Sequence, residues 1–164
     1  MIRFAKTDDL ESIVAIYNQA VVHKNATADL QPVEVQQRIR WFNEHSPESY
    51  PVYVKEIDGK VAGWCSLSPY RHGRLALEKT VEIVCYIDYT HHSRGIGSEL
   101  IQHALHDCIR LKKRIVFAIL LEKNIRSIKL LEKFGFERWG YLPEVAEFDS
   151  KLCGHIYMGK KIVV

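Results

Sequence analysis

Apolar residues along the chain recur every three or four positions in some stretches and cluster or alternate in others, so helices and strands are mixed. Residues 2–5 form a short candidate strand. Leu10, Ile13, Val14, Ile16 and Tyr17 then follow helical spacing and predict a helix over 7–22. Thr7 is its expected N-cap, with Asp8, Asp9 and Glu11 in the first turn, where the helix dipole favours acids. Residues 24–31 read as a loop. Pro32 suits the first turn of a second helix over 32–44, whose buried side would be Val33, Val35, Ile39, Trp41 and Phe42.

The middle of the chain switches to strand patterning. A strand over 52–57 runs into Asp58-Gly59, a hairpin signal, and returns over 61–67. Residues 68–79 are polar and broken by Pro69 and Gly73, which predicts a long loop. The densest β-branched run, residues 80–87, is the expected central strand. A helix over 96–111 follows, with Leu100, Ile101, Ala104, Leu105, Cys108 and Ile109 on one face. Residues 114–121 predict a buried strand, and 124–134 a short helix closed by Gly135. Strands over 136–141 and 153–162 complete the order βααβββαβαββ. No repeat or linker interrupts it, so one domain over 1–164 is expected.

Composition narrows the class. A chain of 164 residues with 47% hydrophobic and 26% charged residues can bury a core without metal or disulfide, and it is not disordered. No run of apolar residues is long enough for a membrane helix, and the N-terminus passes straight to charge without a signal-peptide core. The expectation is a cytoplasmic protein. Lys and Arg number 23 against 20 Asp and Glu, and a net charge of +3 is too mild to imply nucleic acid. Cys65, Cys85, Cys108 and Cys153 contain no C-x-x-C pair and read as buried free thiols. His91-His92 and the pair His103 and His106 lack completing ligands at metal spacing, so no metal is expected. Trp41, Trp64 and Trp139 read as packing residues.

The most specific segment follows the central strand. Arg94-Gly95-Ile96-Gly97 opens directly into a helix, and two close glycines let backbone N–H groups approach an anion such as a pyrophosphate. Taken alone the turn is equally well explained as structural. A dinucleotide fingerprint fails because its third glycine would fall on Leu100, and no Gly-Lys-Ser/Thr follows for a Walker loop.

With its flanks, the segment resembles the GNAT family of N-acetyltransferases. The family's Gln/Arg-x-x-Gly-x-Gly/Ala motif falls on His92-Ser93-Arg94-Gly95-Ile96-Gly97. Its Asn-x-x-Ser helix with terminal Gly-Phe falls on Asn124 to Ser127 and Gly135-Phe136. Ala26-Thr27-x-Asp29, Gly63-Trp64-x-Ser66-Leu67-Ser68-Pro69 and Thr80-Val81-Glu82 extend the likeness over nearly the whole chain. They bring it nearest the phosphinothricin and methionine-sulfone acetyltransferases.

The resemblance implies an α+β fold with a splayed, mixed and mostly antiparallel sheet flanked by about four helices. It implies direct acetyl transfer from acetyl-CoA to the primary amine of a small amino-acid-like substrate, with no metal, nucleic acid or membrane. His92, Ser93, Arg94, Gly95, Ile96, Gly97 and Ser98 would hold the pyrophosphate, and Cys85, Tyr86 and Ile87 the pantetheine arm. Asn124 would bond that arm and Lys133 would lie near the phosphates. Glu82 would be the general base, with its pKa raised by burial, and a backbone N–H near Tyr86 the oxyanion donor. Of the basic residues from Arg110 to Lys133, all but one or two read as solvated helix faces.

Four positions depart from the family pattern. His92 stands for Gln or Arg. Leu131 stands for the Tyr or His that could serve as an acid. Ala28 stands for an aromatic residue, and Glu78 for an Arg that would clamp a substrate carboxylate. Arg71 and Arg74 remain as candidate carboxylate contacts, so Ala28, Arg71, Arg74 and Glu82 are the substrate-side candidates. Two alternative readings are acetylation of a protein N-terminus or lysine, and an acyl-CoA sensor without turnover. Some relatives dimerise, and the C-terminal strand is the candidate contributor to a homodimer.

Overall fold

A computed structural model describes residues 1–163. Seven strands form one mixed sheet in the order β1-β2-β3-β4-β5-β7-β6. They are β1 (Ile2–Phe4), β2 (Val52–Ile57), β3 (Lys60–Pro69), β4 (Thr80–Ile87), β5 (Ile115–Leu121), β6 (Glu137–Phe148) and β7 (Lys151–Lys161). Helices α1 (Leu10–His23), α2 (Val35–Asn43), α3 (Ile96–Arg110) and α4 (Ile125–Lys133) cover the two faces. All neighbouring strands run antiparallel except β4 and β5, which are parallel. The order of elements and the splayed, mostly antiparallel sheet match the expectation.

Strand alternation sorts the side chains of β4. Val81 and Ile83 point into the larger core with Leu100, Ile101, Ala104 and Cys108 of α3 and Leu131 of α4. Val84 and Tyr86 pack on the other face against Ile13, Ile16 and Tyr17 of α1, with Trp41 of α2 and Trp64 of β3. Glu82 shares this second face by the same alternation. Trp64 is fixed there by donating its indole N–H to the Ile13 carbonyl at 3.1 Å.

Several boundaries move for identifiable reasons. The first helix starts at Leu10, and Thr7–Asp9 is a 3-10 turn. Thr7 is not the cap: the Asp9 carboxylate accepts the Lys6 N–H at 2.7 Å and two Arg3 bonds at 2.7 and 2.9 Å, which holds the entry turn. The second helix starts at Val35, beyond Pro32. The Asn18 side chain holds both backbone groups of Val33, each at 2.9 Å, so the Val33 carbonyl cannot open a helix. The loop expected over 68–79 includes the end of β3 and a 3-10 turn at Leu75–Leu77.

β6 runs to Phe148, well past the expected end at Tyr141, because Pro143 sits where the pairing with β7 shifts register on an edge strand. Trp139 is 41% exposed, but its ring lies over Gly159, where a Cβ would meet it at 2.0 Å. Among the cysteines, all free, Cys65, Cys108 and Cys153 are buried as expected. Cys85 is only half-buried. Among the described residues, no helix is long and apolar enough to cross a membrane.

Candidate active site

The site begins where two parallel strands separate. β4 and β5 pair only at Thr80 with Ile115, Val81 with Val116 and Glu82 with Phe117, although both strands continue beyond. Past Glu82 they diverge around a cleft of about 570 Å³, walled by residues 83–87 on one side and 118–120 on the other. Glu82 therefore sits at the apex of the splay rather than along the cleft wall.

The divergence exposes main chain. Antiparallel partners alternate between bonded and non-bonded pairs. Bonds from Asp88 N–H to the Ala62 carbonyl (2.9 Å) and from Tyr70 N–H to the Thr80 carbonyl (3.3 Å) assign the bonded pairs of β3 and β4 to the even residues of β4. Tyr86 thus spends its N–H on β3. The N–H groups of Ile83, Cys85 and Ile87 face the gap instead, where β5 no longer meets them. The N–H expected near Tyr86 as an oxyanion donor is thus not that of Tyr86 itself; only the flanking groups face the gap. Buried backbone donors require partners, and an extended amide-bearing ligand can supply them as an added strand does.

The glycine turn closes one end of the cleft. Gly95 adopts φ +80° as the residue before α3, a left-handed conformation that favours glycine. Gly97 packs so closely that a Cβ would lie 3.1 Å from Leu130 of α4. The first N–H groups of α3 have no intrahelical acceptor, so this end of the cleft attracts anions. Ser93, Gly95, Ile96, Gly97 and Ser98 line the cleft, whereas the Arg94 side chain is exposed outside it.

His92 lines the cleft too and has a structural role. Its Nε2–H donates to the Ile87 carbonyl at 3.0 Å, and its Nδ1 accepts from Arg126 at 2.9 Å. Burial depresses its pKa, which favours the neutral ring that this pair of bonds requires. The ring thereby ties the end of β4 to α4.

On α4, Asn124 caps the helix: its side-chain oxygen accepts the Ser127 N–H at 3.3 Å, leaving the amide N–H groups for another partner. Lys133 lines the cleft as expected, together with Arg126 and Lys129. Their spacing of three and four residues puts all three on one helix face, a signal already present in the sequence. All three are exposed on that face, as the reading of these basic residues as solvated helix faces expects. Lys113 is the exception, 5% exposed with its ammonium donating to the Glu78 carbonyl at 3.1 Å.

The side of the sheet carrying Glu82 is built from side chains. Glu82 is partly buried, and no side-chain hydrogen bond or ion pair reaches it among the described residues. Burial raises its pKa from the ordinary carboxyl value, which makes the carboxylate a stronger proton acceptor. Its cross-strand partner is Ser68.

Farther along this face, the Tyr17 hydroxyl meets Thr27 Oγ1 at 2.7 Å and donates to Asp29. Arg38 lies over the Tyr17 ring at 4.5 Å and pairs with Asp29 at 3.5 Å. Tyr17 and Arg38 were not among the sequence candidates; both lie on faces whose spacing reads only as core or surface. Ala28, Arg71 and Arg74 are exposed outside the coenzyme-sized cleft, the two arginines on the segment joining β3 to β4. Leu131 is 4% exposed and packs in the α3-side core, so no acid stands at that position.

Residues 10–136 match the Acetyltransferase (GNAT) family. YwnH of Bacillus subtilis, described as a "putative phosphinothricin acetyltransferase", is 40% identical over 162 residues, covering 98% of each chain. An L-methionine sulfoximine/L-methionine sulfone acetyltransferase of Salmonella typhimurium is 31% identical over 144 residues, 88% of this chain and 84% of that one. Among solved structures, the phosphinothricin acetyltransferase of Sinorhizobium meliloti in complex with AcCoA superposes with a TM-score of 0.93 at 26% identity. It covers 99% of this chain and 88% of the other.

Proposed function

The chain belongs to the Acetyltransferase (GNAT) family and is an acetyl-CoA-dependent N-acyltransferase; on that premise we propose that it acetylates the primary amine of a small amino-acid-like substrate, with Glu82 as the base. The observation that carries this reading is the position of Glu82. It is a partly buried carboxyl with no side-chain partner among the described residues, at the point where β4 and β5 separate and main-chain donors turn toward the cleft.

In this reading Asn124 and the gap-facing groups of Cys85 and Ile87 hold the pantetheine amides. The N–H groups of Ser93 to Ser98 hold the pyrophosphate, and Arg126, Lys129 and Lys133 add positive charge. Acetyl-CoA supplies the thioester when bound. A primary amine is mostly protonated near neutral pH and cannot attack in that form. Glu82 accepts the amine proton, and its raised pKa makes it a stronger base than an exposed carboxylate. A gap-facing N–H of β4 stabilises the charge that develops on the carbonyl oxygen. Leu131 offers no proton to the departing thiolate, which is a good enough leaving group to depart as the anion.

The relatives named for phosphinothricin, methionine sulfone and methionine sulfoximine support an acceptor carrying an amine and a carboxylate. Ala28 and Glu78 stand where the family pattern has an aromatic residue and an Arg, so the acceptor can differ from those of the relatives. Coenzyme A release should be measured with acetyl-CoA against these three compounds and a panel of amino acids. Turnover above the hydrolysis blank on at least one α-amino acid is expected. Release on none of them, with turnover on peptides, would transfer the reading to protein acetylation.

A further inference from the structure

We propose that His45, a positioning residue acting through Ser68, sets the basicity of Glu82; the inference rests on the reading of Glu82 as the base. His45 follows α2 and bonds Ser68 near the end of β3, whose cross-strand partner on β4 is Glu82. The His45 Nδ1 lies 2.7 Å from the Trp41 carbonyl, and its Nε2 lies 2.9 Å from Ser68 Oγ. A carbonyl can only accept, so Nδ1 carries the proton. In the neutral ring Nε2 is then a lone pair, and the Ser68 hydroxyl must donate to it.

That bond consumes the only hydrogen Ser68 has. Ser68 and Glu82 are directly opposed in the β3–β4 register, so their side chains share a face. Their Cβ atoms are about 5 Å apart in such a pair, within reach by one rotamer change or one water. Toward Glu82 the Ser68 oxygen can therefore offer only lone pairs. These accept from a protonated carboxyl and repel a carboxylate, so they favour the proton-bound form.

No side-chain hydrogen bond reaches Glu82 among the described residues, so the orientation of a hydroxyl directly opposed to it bears on its basicity. Once the ring is protonated, Nε2–H donates to Ser68. The hydroxyl hydrogen is then released toward the Glu82 carboxylate, and the effect reverses sign.

The surroundings favour the neutral ring. Burial depresses the His45 pKa, against smaller opposing effects from the Trp41 carbonyl and the Glu44 carboxylate at the end of α2. From the sheet, the groups facing this cluster are Ser68 of β3 and Glu82 and Tyr86 of β4. The Tyr86 phenol is pushed high by burial and stays uncharged. Ser68 and His45 are 23 residues apart in sequence, and neither belongs to the glycine motif.

The test is the pH profile of kcat at saturating acetyl-CoA for wild type, His45→Ala, Ser68→Ala, Ser68→Thr and the double variant His45→Ala/Ser68→Ala. In His45→Ala the hydroxyl is free to donate to Glu82. The acid limb should move about half to one pH unit lower, and the plateau should fall about threefold, on the scale of one neutral hydrogen bond. The KM for acetyl-CoA should not move.

Because His45 acts through Ser68, removing it should add nothing in the Ser68→Ala background. Ser68→Thr, which keeps the hydroxyl, should keep the wild-type limb. If His45→Ala fails to fold, the Ser68→Ala and Ser68→Thr profiles carry the test alone. An unmoved limb in both His45→Ala and Ser68→Ala, or an equal His45 effect with and without the hydroxyl, overturns the coupling. A Glu82→Gln variant that retains turnover overturns instead the assignment of the base.

Discussion

The two sides of the splayed strands are made of different material. On the side proposed for the coenzyme the groups on offer are main chain: gap-facing N–H groups of Ile83, Cys85 and Ile87, and the turn from Ser93 to Ser98 held by Gly95 at φ +80°. On the side proposed for the amine they are side chains: Glu82, Ser68 and His45 near the apex, then Tyr17, Thr27, Asp29 and Arg38. Main-chain groups persist through substitution as long as the fold does. His92 can thus replace Gln or Arg and still brace the turn through Ile87 and Arg126. Side-chain groups change one residue at a time, and Ala28 and Glu78 fall among the residues expected to meet the amine. The contrast teaches that coenzyme binding should tolerate changes of side chain, whereas catalysis and acceptor choice should not.

Three substitutions bear on that contrast. Glu82→Gln should lower kcat by about 10²- to 10⁴-fold, the usual weight of a general base. It should also raise the melting temperature near pH 8. Burial raises the folded-state pKa of Glu82, so its contribution to stability is present below the ordinary carboxyl range and lost as pH rises through the folded value. The thermal gain should therefore disappear in melts recorded below about pH 4.

Gly97→Val attacks the main-chain side. Its Cβ would already press on Leu130 at 3.1 Å, and displacement of the turn should weaken acetyl-CoA about tenfold by calorimetry, with kcat at saturation little changed. Lys129→Ala removes only a side chain from the same wall. It should raise the KM for acetyl-CoA about threefold at low salt, an effect that fades as salt screens the charge. If Lys129→Ala proves as damaging as Gly97→Val, side chains rather than main chain hold the coenzyme.

Legibility in the sequence follows the same division. The β-branched run of β4, the glycine turn and the cap residue Asn124 carry local signals, so the element order and most of the residues that line the cleft could be placed beforehand. Spacing would also have found Arg126 and Lys129 beside Lys133. What remained hidden depends on tertiary partners. The start of α2 is set by Asn18 gripping Val33, and the length of β6 by a register shift around Pro143. The approach of His45 to Ser68 needs α2 and β3 to meet across 23 positions. No local pattern reports such a contact.

The most direct measurement takes acetyl-CoA affinity and single-turnover amine acetylation on the same preparations of wild type and Glu82→Gln. The dissociation constant should be the same within about twofold, and the rate of acetyl transfer at saturation should fall by at least about a hundredfold. A variant that binds acetyl-CoA normally and still transfers at the wild-type rate would contradict Glu82 as the base at the head of the cleft.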